Sequence, residues 1–171
     1  MFSYTGKAAL ITGASSGIGE AFAQILAARG MNLVLVARSA DKLRAMAQAL
    51  SERHGIRAEV IPADLCREGA AQEVYLRTQE LGVPVDLLVN NAGFGTFGRF
   101  DTLAPEREHE ETMLNVTALV DLTHAFLPAI GVFLSLVSVV GLLIWYILIA
   151  RRLFQLGSGG SREEANQPAM A

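Results

Sequence analysis

Three glycines lie near the start of the chain at the spacing Gly-x-x-x-Gly-x-Gly, at Gly13, Gly17 and Gly19. The positions before and between them include Thr12, Ser15, Ser16 and Ile18. Gly13 permits a sharp turn out of a strand, Gly17 permits close approach of a diphosphate, and Gly19 permits tight packing of a helix on a sheet. A diphosphate held there meets free backbone N–H groups at the positive end of the following helix. The spacing therefore predicts a phosphate-binding loop for a dinucleotide.

The choice of dinucleotide depends on the residue at the end of the second predicted strand, which is Arg38. Sites for NAD usually have Asp or Glu at this point, to bind the ribose 2′-hydroxyl. A guanidinium instead suits a phosphate, because it donates paired and charge-assisted hydrogen bonds. Arg38 therefore favours NADP(H) over NAD(H). The alternative is a solvated charge at a strand end.

These residues must be positioned by short apolar strands that alternate with amphipathic helices. Strands are predicted at 8–12, 33–37, 58–61 and 85–89. Helices are predicted from the glycine loop to Gly30 and over 41–54, 67–81 and 105–127. The first helix has Ile18, Phe22, Ile25 and Leu26 on one face. Continuous apolar strands between helices predict a parallel sheet covered on both faces, which right-handed crossovers make doubly wound.

Residues 129–150 differ in composition from the rest of the chain. None of these 22 residues is charged, and fourteen are Leu, Ile, Val or Phe. As a helix the run would be about 33 Å long, enough for a hydrocarbon core of about 30 Å. We therefore predict a transmembrane helix over 129–152 and a flexible polar tail over 153–171. Two buried strands or a core helix are the alternative interpretation.

The orientation of this predicted span is open. Arg151 and Arg152 favour a cytoplasmic C-terminal side. The absence of a leader-like segment at the N-terminus, and the need for cellular NADP(H), favour a cytoplasmic N-terminal domain. We expect a cytoplasmic nucleotide-binding domain over 1–128 that is anchored to a membrane.

Composition excludes several other functions. The net charge of -3 offers no basic patch, so no nucleic-acid partner is predicted. Cys66 is the single cysteine, which rules out an intrachain disulfide, and we expect a small, partly buried side chain there. No metal site is predicted, because the three histidines lack ligand spacing; they are His54, His109 and His124. The acidic residues around His109 predict a solvated helix face.

The glycine loop resembles the fingerprint of the short-chain dehydrogenase/reductase family, and three further motifs follow in the family's order. The run Ala63, Asp64 and Leu65, after the third strand, resembles the family's acidic site for the adenine ring. The next match is the run Asn90, Asn91, Ala92 and Gly93. In the family this motif stabilises the central sheet and lines the cofactor. Asn115 aligns with the asparagine of the family's catalytic tetrad.

This resemblance covers residues 1 to about 128. It implies an α/β fold, namely a Rossmann-like doubly wound parallel sheet, here incomplete with about four strands. It also implies hydride transfer between NADP(H) and a carbonyl or alcohol substrate.

The rest of the family's catalytic pattern is not found in the sequence. The family uses a Tyr-x-x-x-Lys pair with a serine upstream, in which the tyrosine exchanges a proton with the substrate oxygen. The lysines here are Lys7 and Lys42, both upstream of the expected position. Ser138 and Tyr146 echo the pattern only weakly and fit better as residues of the predicted span. We therefore predict cofactor binding without normal turnover.

Two other interpretations stay open. One is a membrane-anchored nucleotide-binding or interaction protein, and the other is a truncated or fused product without activity. The abrupt change in composition after Pro128 favours a fused or truncated origin. The substrate and the oligomeric state are not indicated by the sequence.

Overall fold

A computed structural model describes residues 3–127, apart from the side chain of Phe100. The chain divides into two units, Met1–Pro128 and Ala129–Ala171, and the described residues lie in the first. Within residues 3–127, no helix is both long enough and apolar enough to cross a membrane. The predicted span and tail lie outside the described residues, so they remain predictions.

Strands and helices alternate along the first unit, as the sequence predicts. The strands are β1 (Ala8–Thr12), β2 (Asn32–Ala37), β3 (Ala58–Pro62) and β4 (Leu87–Val89). The helices are α1 (Gly17–Ala28), α2 (Ala40–His54), α3 (Ala70–Glu80), α4 (Pro105–Thr112) and α5 (Ala118–Phe126). A short 3₁₀ helix occupies Phe100–Thr102, and a π-helical segment, Met113–Thr117, joins α4 to α5.

The four strands form one parallel sheet in the order β3-β2-β1-β4, which confirms the predicted parallel sheet. Ile11 of β1 pairs with Leu35 on one side and with Val89 on the other. The chain thus runs outward from β1 to β3 and then crosses to the opposite side of β1. Ligands of such sheets bind beyond the carboxyl ends of the strands at this point of reversal.

Helices cover both faces of the sheet, because successive side chains of each strand point to opposite sides. Leu33 and Leu35 of β2 belong to one core cluster, with residues of α1 and α2. Val34 and Val36 belong to a second cluster, with residues of α3 and α5. Each of these four side chains is no more than 1% exposed. The sheet is therefore buried on both faces, as expected of a doubly wound fold.

The face that α1 turns towards the sheet differs from the one predicted. Ile18, Phe22 and Ile25 are 70%, 42% and 50% exposed, so of the predicted apolar face only Leu26 is buried. The buried face consists of Gly19, Ala23, Leu26 and Ala27. Three of these residues are small, which allows the helix axis to lie close to the strands.

Two of the predicted helices also differ from the structure. The third helix begins at Ala70 instead of residue 67, because Gly69 takes a left-handed conformation with φ of 75°. The helix predicted over 105–127 is interrupted by the π-helical segment Met113–Thr117. Such π bulges insert a residue into a helix and are common at functional sites.

Candidate nucleotide-binding site

The hydroxyl group of Thr12 joins the carboxyl ends of β1 and β4. Its oxygen accepts the backbone N–H groups of Asn91 and Ala92, each at 2.9 Å, and it donates to the Val89 carbonyl at 3.3 Å. Thr12 is 1% exposed, so water does not compete for these bonds. The phosphate-loop threonine therefore also fixes the start of the Asn-Asn-Ala-Gly motif.

The side chain of Asn91 completes this connection. Its Nδ2 donates to the carbonyl oxygens of Thr12 at 2.9 Å and Gly13 at 3.4 Å. A Cβ added to Gly13 would lie 2.8 Å from Asn91 Nδ2 and 2.9 Å from the Ala92 Cα. A Cβ added to Gly19 would overlap the Gly13 carbonyl and Asn91 Nδ2. Both glycines are thus required by close packing between the two motifs.

A cavity of about 410 Å³ lies at the carboxyl ends of the strands. The predicted site residues that line it are Gly13, Ser15, Ser16, Ile18, Arg38, Asp64, Leu65, Asn91, Ala92 and Gly93. The structure therefore brings together four segments that are distant in sequence. Thr12 and Gly19 contact residues that line the cavity: Thr12 binds Asn91 and Ala92, and Gly19 packs against Gly13 and Asn91.

Ala63, the first residue of the predicted adenine site, also lines the cavity. Sequence reasoning missed six further lining residues. They are Val36, Ala37, Ser39, Cys66, Phe94 and Leu114. Most of them adjoin a predicted residue along the chain, so the ends of β2 and β3 could have indicated them. Leu114 precedes the predicted Asn115, but only the tertiary fold shows that Leu114, and not Asn115, lines the cavity.

The part of the cavity next to β2 and β3 carries both charge and a thiol. Arg38 is exposed at the end of β2. Asp64 accepts the backbone N–H of Cys66 at 3.1 Å, which fixes the turn after β3. Burial raises the pKa of the Cys66 thiol, and the nearby Asp64 carboxylate raises it further. The thiol is therefore protonated at neutral pH, and the side chain is partly buried as predicted.

The first turn of α1 has backbone N–H groups available to a ligand. Ser16 is the residue that precedes the helix, and its side chain makes no capping hydrogen bond. A Cβ added to Gly17 would meet nothing within 4 Å. The loop therefore leaves open space at the positive end of the helix, where an anionic group is favoured.

Asn115 lies in the π-helical segment and binds the backbone of Phe94. Phe94 belongs to the loop that follows the Asn-Asn-Ala-Gly motif. The Nδ2 of Asn115 donates to the Phe94 carbonyl at 2.8 Å, and its Oδ1 accepts the Phe94 N–H at 3.2 Å. Its side chain thus positions this loop and does not line the cavity. Ser138 and Tyr146 lie outside the described residues.

The acidic residues of α4 are not simply a solvated face, which corrects the prediction. Glu108 and Glu111 are half-buried, and both bind Thr96 of the loop. Hydrogen bonds from the Thr96 hydroxyl and N–H groups lower the pKa of the Glu111 carboxyl, and Arg107 lowers it further. Glu106 and Glu110 of the same helix are exposed, as expected.

Comparison with known proteins agrees with this geometry. The family model for short chain dehydrogenases matches residues 7–145, which is most of the chain. The chain therefore belongs to the short-chain dehydrogenase family. The match extends 17 residues beyond Pro128, further than the sequence motifs had indicated.

Individual relatives match the same part of the chain. Oxidoreductase UcpA of Salmonella typhimurium is 38% identical over 124 residues, which are 72% of this chain and 46% of the relative. L-Sorbose reductase from Gluconobacter frateurii, solved with NADPH and L-sorbose, is 36% identical with a TM-score of 0.69, over 72% of this chain and 47% of that one. A short-chain dehydrogenase from Sphingobium yanoikuyae, solved with NADPH, is 40% identical with a TM-score of 0.67, over 72% and 48%. The chain spans about half the length of these relatives.

Proposed function

We propose that the described part of the chain binds NADP(H) as the cofactor-binding portion of a short-chain oxidoreductase. One observation carries this proposal. The glycine loop, the end of β2 with Arg38, and the Asn-Asn-Ala-Gly motif line one cavity at the reversal point of the sheet. Two of the structural relatives were solved with NADPH, which supports the choice of dinucleotide.

The residues present suit each part of this cofactor. The uncapped first turn of α1, with Ser15 and Ser16, offers N–H and hydroxyl donors to a diphosphate. Arg38 offers a guanidinium to a ribose 2′-phosphate, and no carboxylate stands in its place at the end of β2 to favour NAD(H). Asp64 and Leu65 would flank the adenine ring. When bound, the nicotinamide supplies hydride chemistry, and the protein supplies position and charge.

Family membership implies hydride exchange with a carbonyl or alcohol substrate, but we propose that this 171-residue chain binds cofactor without normal turnover. The sequence has no lysine after Lys42, so a Tyr-x-x-x-Lys pair is not available. An arginine does not replace that lysine by titration, because its pKa is too high. Asn115, at the family's tetrad position, uses both polar ends of its side chain on Phe94.

A binding assay combined with a turnover assay tests both parts of this proposal. NADPH is titrated into the full chain in detergent and followed by nucleotide fluorescence, and NADPH oxidation is then followed with a panel of ketones. We expect saturable binding with no oxidation above the background rate. Oxidation that is abolished by Tyr146→Phe would show that an active site is present. Failure to bind NADPH would contradict the proposed function itself.

A second candidate is a membrane-anchored nucleotide-binding protein, with a cytoplasmic cofactor domain. The uncharged run 129–150 favours it. The family match opposes it, because it assigns residues 129–145 to the oxidoreductase family. Alkaline extraction of membranes from expressing cells separates the two. Retention of the chain in the pellet would support the anchor, and release would support the oxidoreductase assignment of this segment.

A further inference from the structure

The loop at residues 93–98 forms one end of the cavity through Phe94 but has little apolar packing of its own. Phe97 is fully exposed, at 104%, and three of the six positions in the loop are glycine. Glycines increase the conformational entropy that a loop loses on ordering. Polar contacts from α4 and the π-helical segment must therefore hold this loop in place.

Asn115 and Arg107 fix the first part of the loop. Asn115 binds both the N–H and the carbonyl of Phe94. The guanidinium carbon of Arg107 lies 3.8 Å from the centre of the Phe94 ring. These contacts orient Phe94 in the cavity wall, but they do not hold the residues that follow it in the loop.

Thr96 is the second attachment point, and two carboxylates bind it. Glu111 Oε2 accepts the Thr96 backbone N–H at 2.8 Å and its hydroxyl at 2.7 Å. Glu108 Oε1 lies 2.5 Å from the same hydroxyl oxygen. Thr96 is half-buried, whereas its neighbours Gly95 and Phe97 are exposed. The loop is thus anchored at alternate residues, Phe94 and Thr96.

The two carboxylates do not contribute equally. A threonine hydroxyl has one hydrogen, so it donates to only one carboxylate at a time. Glu111 also accepts the backbone N–H, so it makes a second charge-assisted bond to Thr96 that Glu108 lacks. Glu111 is therefore the main anchor, and Glu108 competes with it for the hydroxyl hydrogen.

We propose that Glu111 is a positioning residue of the nucleotide site and that Glu108 modulates it. Glu111 holds the loop through Thr96, so that Phe94 keeps its place in the cavity wall and the site is formed before the nucleotide arrives. This inference rests on the proposed function, since it assigns NADP(H) affinity to the order of this loop. A site that is ordered in advance binds more tightly, because less freedom is lost on binding.

Three variants of the full chain test the inference. Glu111→Ala removes the anchor. Glu111→Gln retains an amide oxygen that accepts both bonds from Thr96. Glu108→Gln places an amide donor beside the Thr96 hydroxyl oxygen, so that the hydroxyl hydrogen is left to Glu111. Glu106→Ala is the matched control, because it removes an exposed carboxylate from the same helix.

Two properties of each variant are measured. Amide hydrogen exchange is followed in the nucleotide-free protein, and NADPH affinity is determined in a separate titration. We expect Glu111→Ala to speed exchange at residues 93–98 and to weaken NADPH binding about three- to tenfold. Glu111→Gln should restore both properties in large part, and Glu108→Gln should slow the exchange relative to the unchanged protein. Glu106→Ala should change neither. Unchanged helix content by circular dichroism shows that each variant folds.

The outcomes separate the inference from the proposed function. Normal NADPH affinity in Glu111→Ala, in a protein that binds NADPH, would overturn the inference alone. The inference would also be overturned if Glu111→Gln, in a folded protein, lost as much loop protection and NADPH affinity as Glu111→Ala. Slow exchange in the loop of the wild-type protein without any NADPH binding would overturn the proposed function. The assignment of NADPH affinity to Glu111 would then be overturned as well.

Discussion

Thr12 and Asn91 are joined by two hydrogen bonds between the ends of β1 and β4, and each bond links the backbone of one residue to the side chain of the other, with Asn91 as the donor in both. The Asn91 backbone N–H donates to the Thr12 hydroxyl oxygen, and the Asn91 side-chain amide donates to the Thr12 carbonyl, both at 2.9 Å. The glycine loop and the Asn-Asn-Ala-Gly motif are therefore one structural unit. Each motif fixes the backbone of the other at the edge of the cavity.

The first prediction concerns the Thr12 hydroxyl. Thr12→Val keeps the shape of the side chain but leaves the N–H groups of Asn91 and Ala92 without their buried acceptor. We expect the free energy of unfolding to fall by about 1–3 kcal/mol, measured by urea denaturation. Thr12→Ser retains the hydroxyl and should be much closer to the unchanged protein. Equal stability of the valine variant would show that these bonds contribute nothing.

The second prediction separates the role of Gly17 in binding from its role in the backbone. Gly17 and Gly55 have similar left-handed φ angles of 60° and 67°, and an added Cβ meets nothing within 4 Å at either position. Alanine at either site should cost about 1 kcal/mol of stability, because the left-handed conformation is strained for an L-residue. Only Gly17→Ala should weaken NADPH binding, because a side chain at position 17 would obstruct the approach of the diphosphate. Gly55 ends α2 away from the cavity. Equal affinity of the two variants would mean that no ligand approaches Gly17.

A third prediction follows from the lowered pKa of Glu111. A carboxyl whose pKa is lowered by folding stabilises the folded state above its ordinary pKa, and this contribution is lost as the pH falls through the lowered value. The difference in urea midpoint between the unchanged protein and Glu111→Gln should therefore be present at neutral pH and shrink in strong acid. A difference that is independent of pH would show that the charge of Glu111 has no part in holding the loop.

The sheet and most of the cavity wall were accessible from the sequence, because their signals are local. Continuous apolar runs such as Leu33 to Val36 indicate a strand buried on both faces. The loop contacts were not accessible. Asn115 and Phe94 are 21 residues apart, and helical periodicity gives no sign that a π-helical segment turns Asn115 towards that loop.

The face of α1 shows a different limit of sequence reasoning. Large apolar residues at helical spacing normally mark the buried stripe of a helix. Here Gly19 and Ala23 face the sheet instead, and Ile18 and Ile25 are exposed. The close contact of Gly19 with the Gly13 carbonyl sets this rotation, and only the folded loop provides it.

Selectivity between NADPH and NADH is the most direct test of the central claim that this cavity binds NADP(H) through Arg38. Each nucleotide is titrated into the unchanged full chain, into Arg38→Asp, and into Arg53→Asp, which makes the same charge change at an exposed residue of α2 outside the cavity. We predict a preference for NADPH that falls about 10- to 100-fold in Arg38→Asp and is kept in Arg53→Asp. Equal binding of the two nucleotides, or a preference that survives Arg38→Asp, would contradict the account.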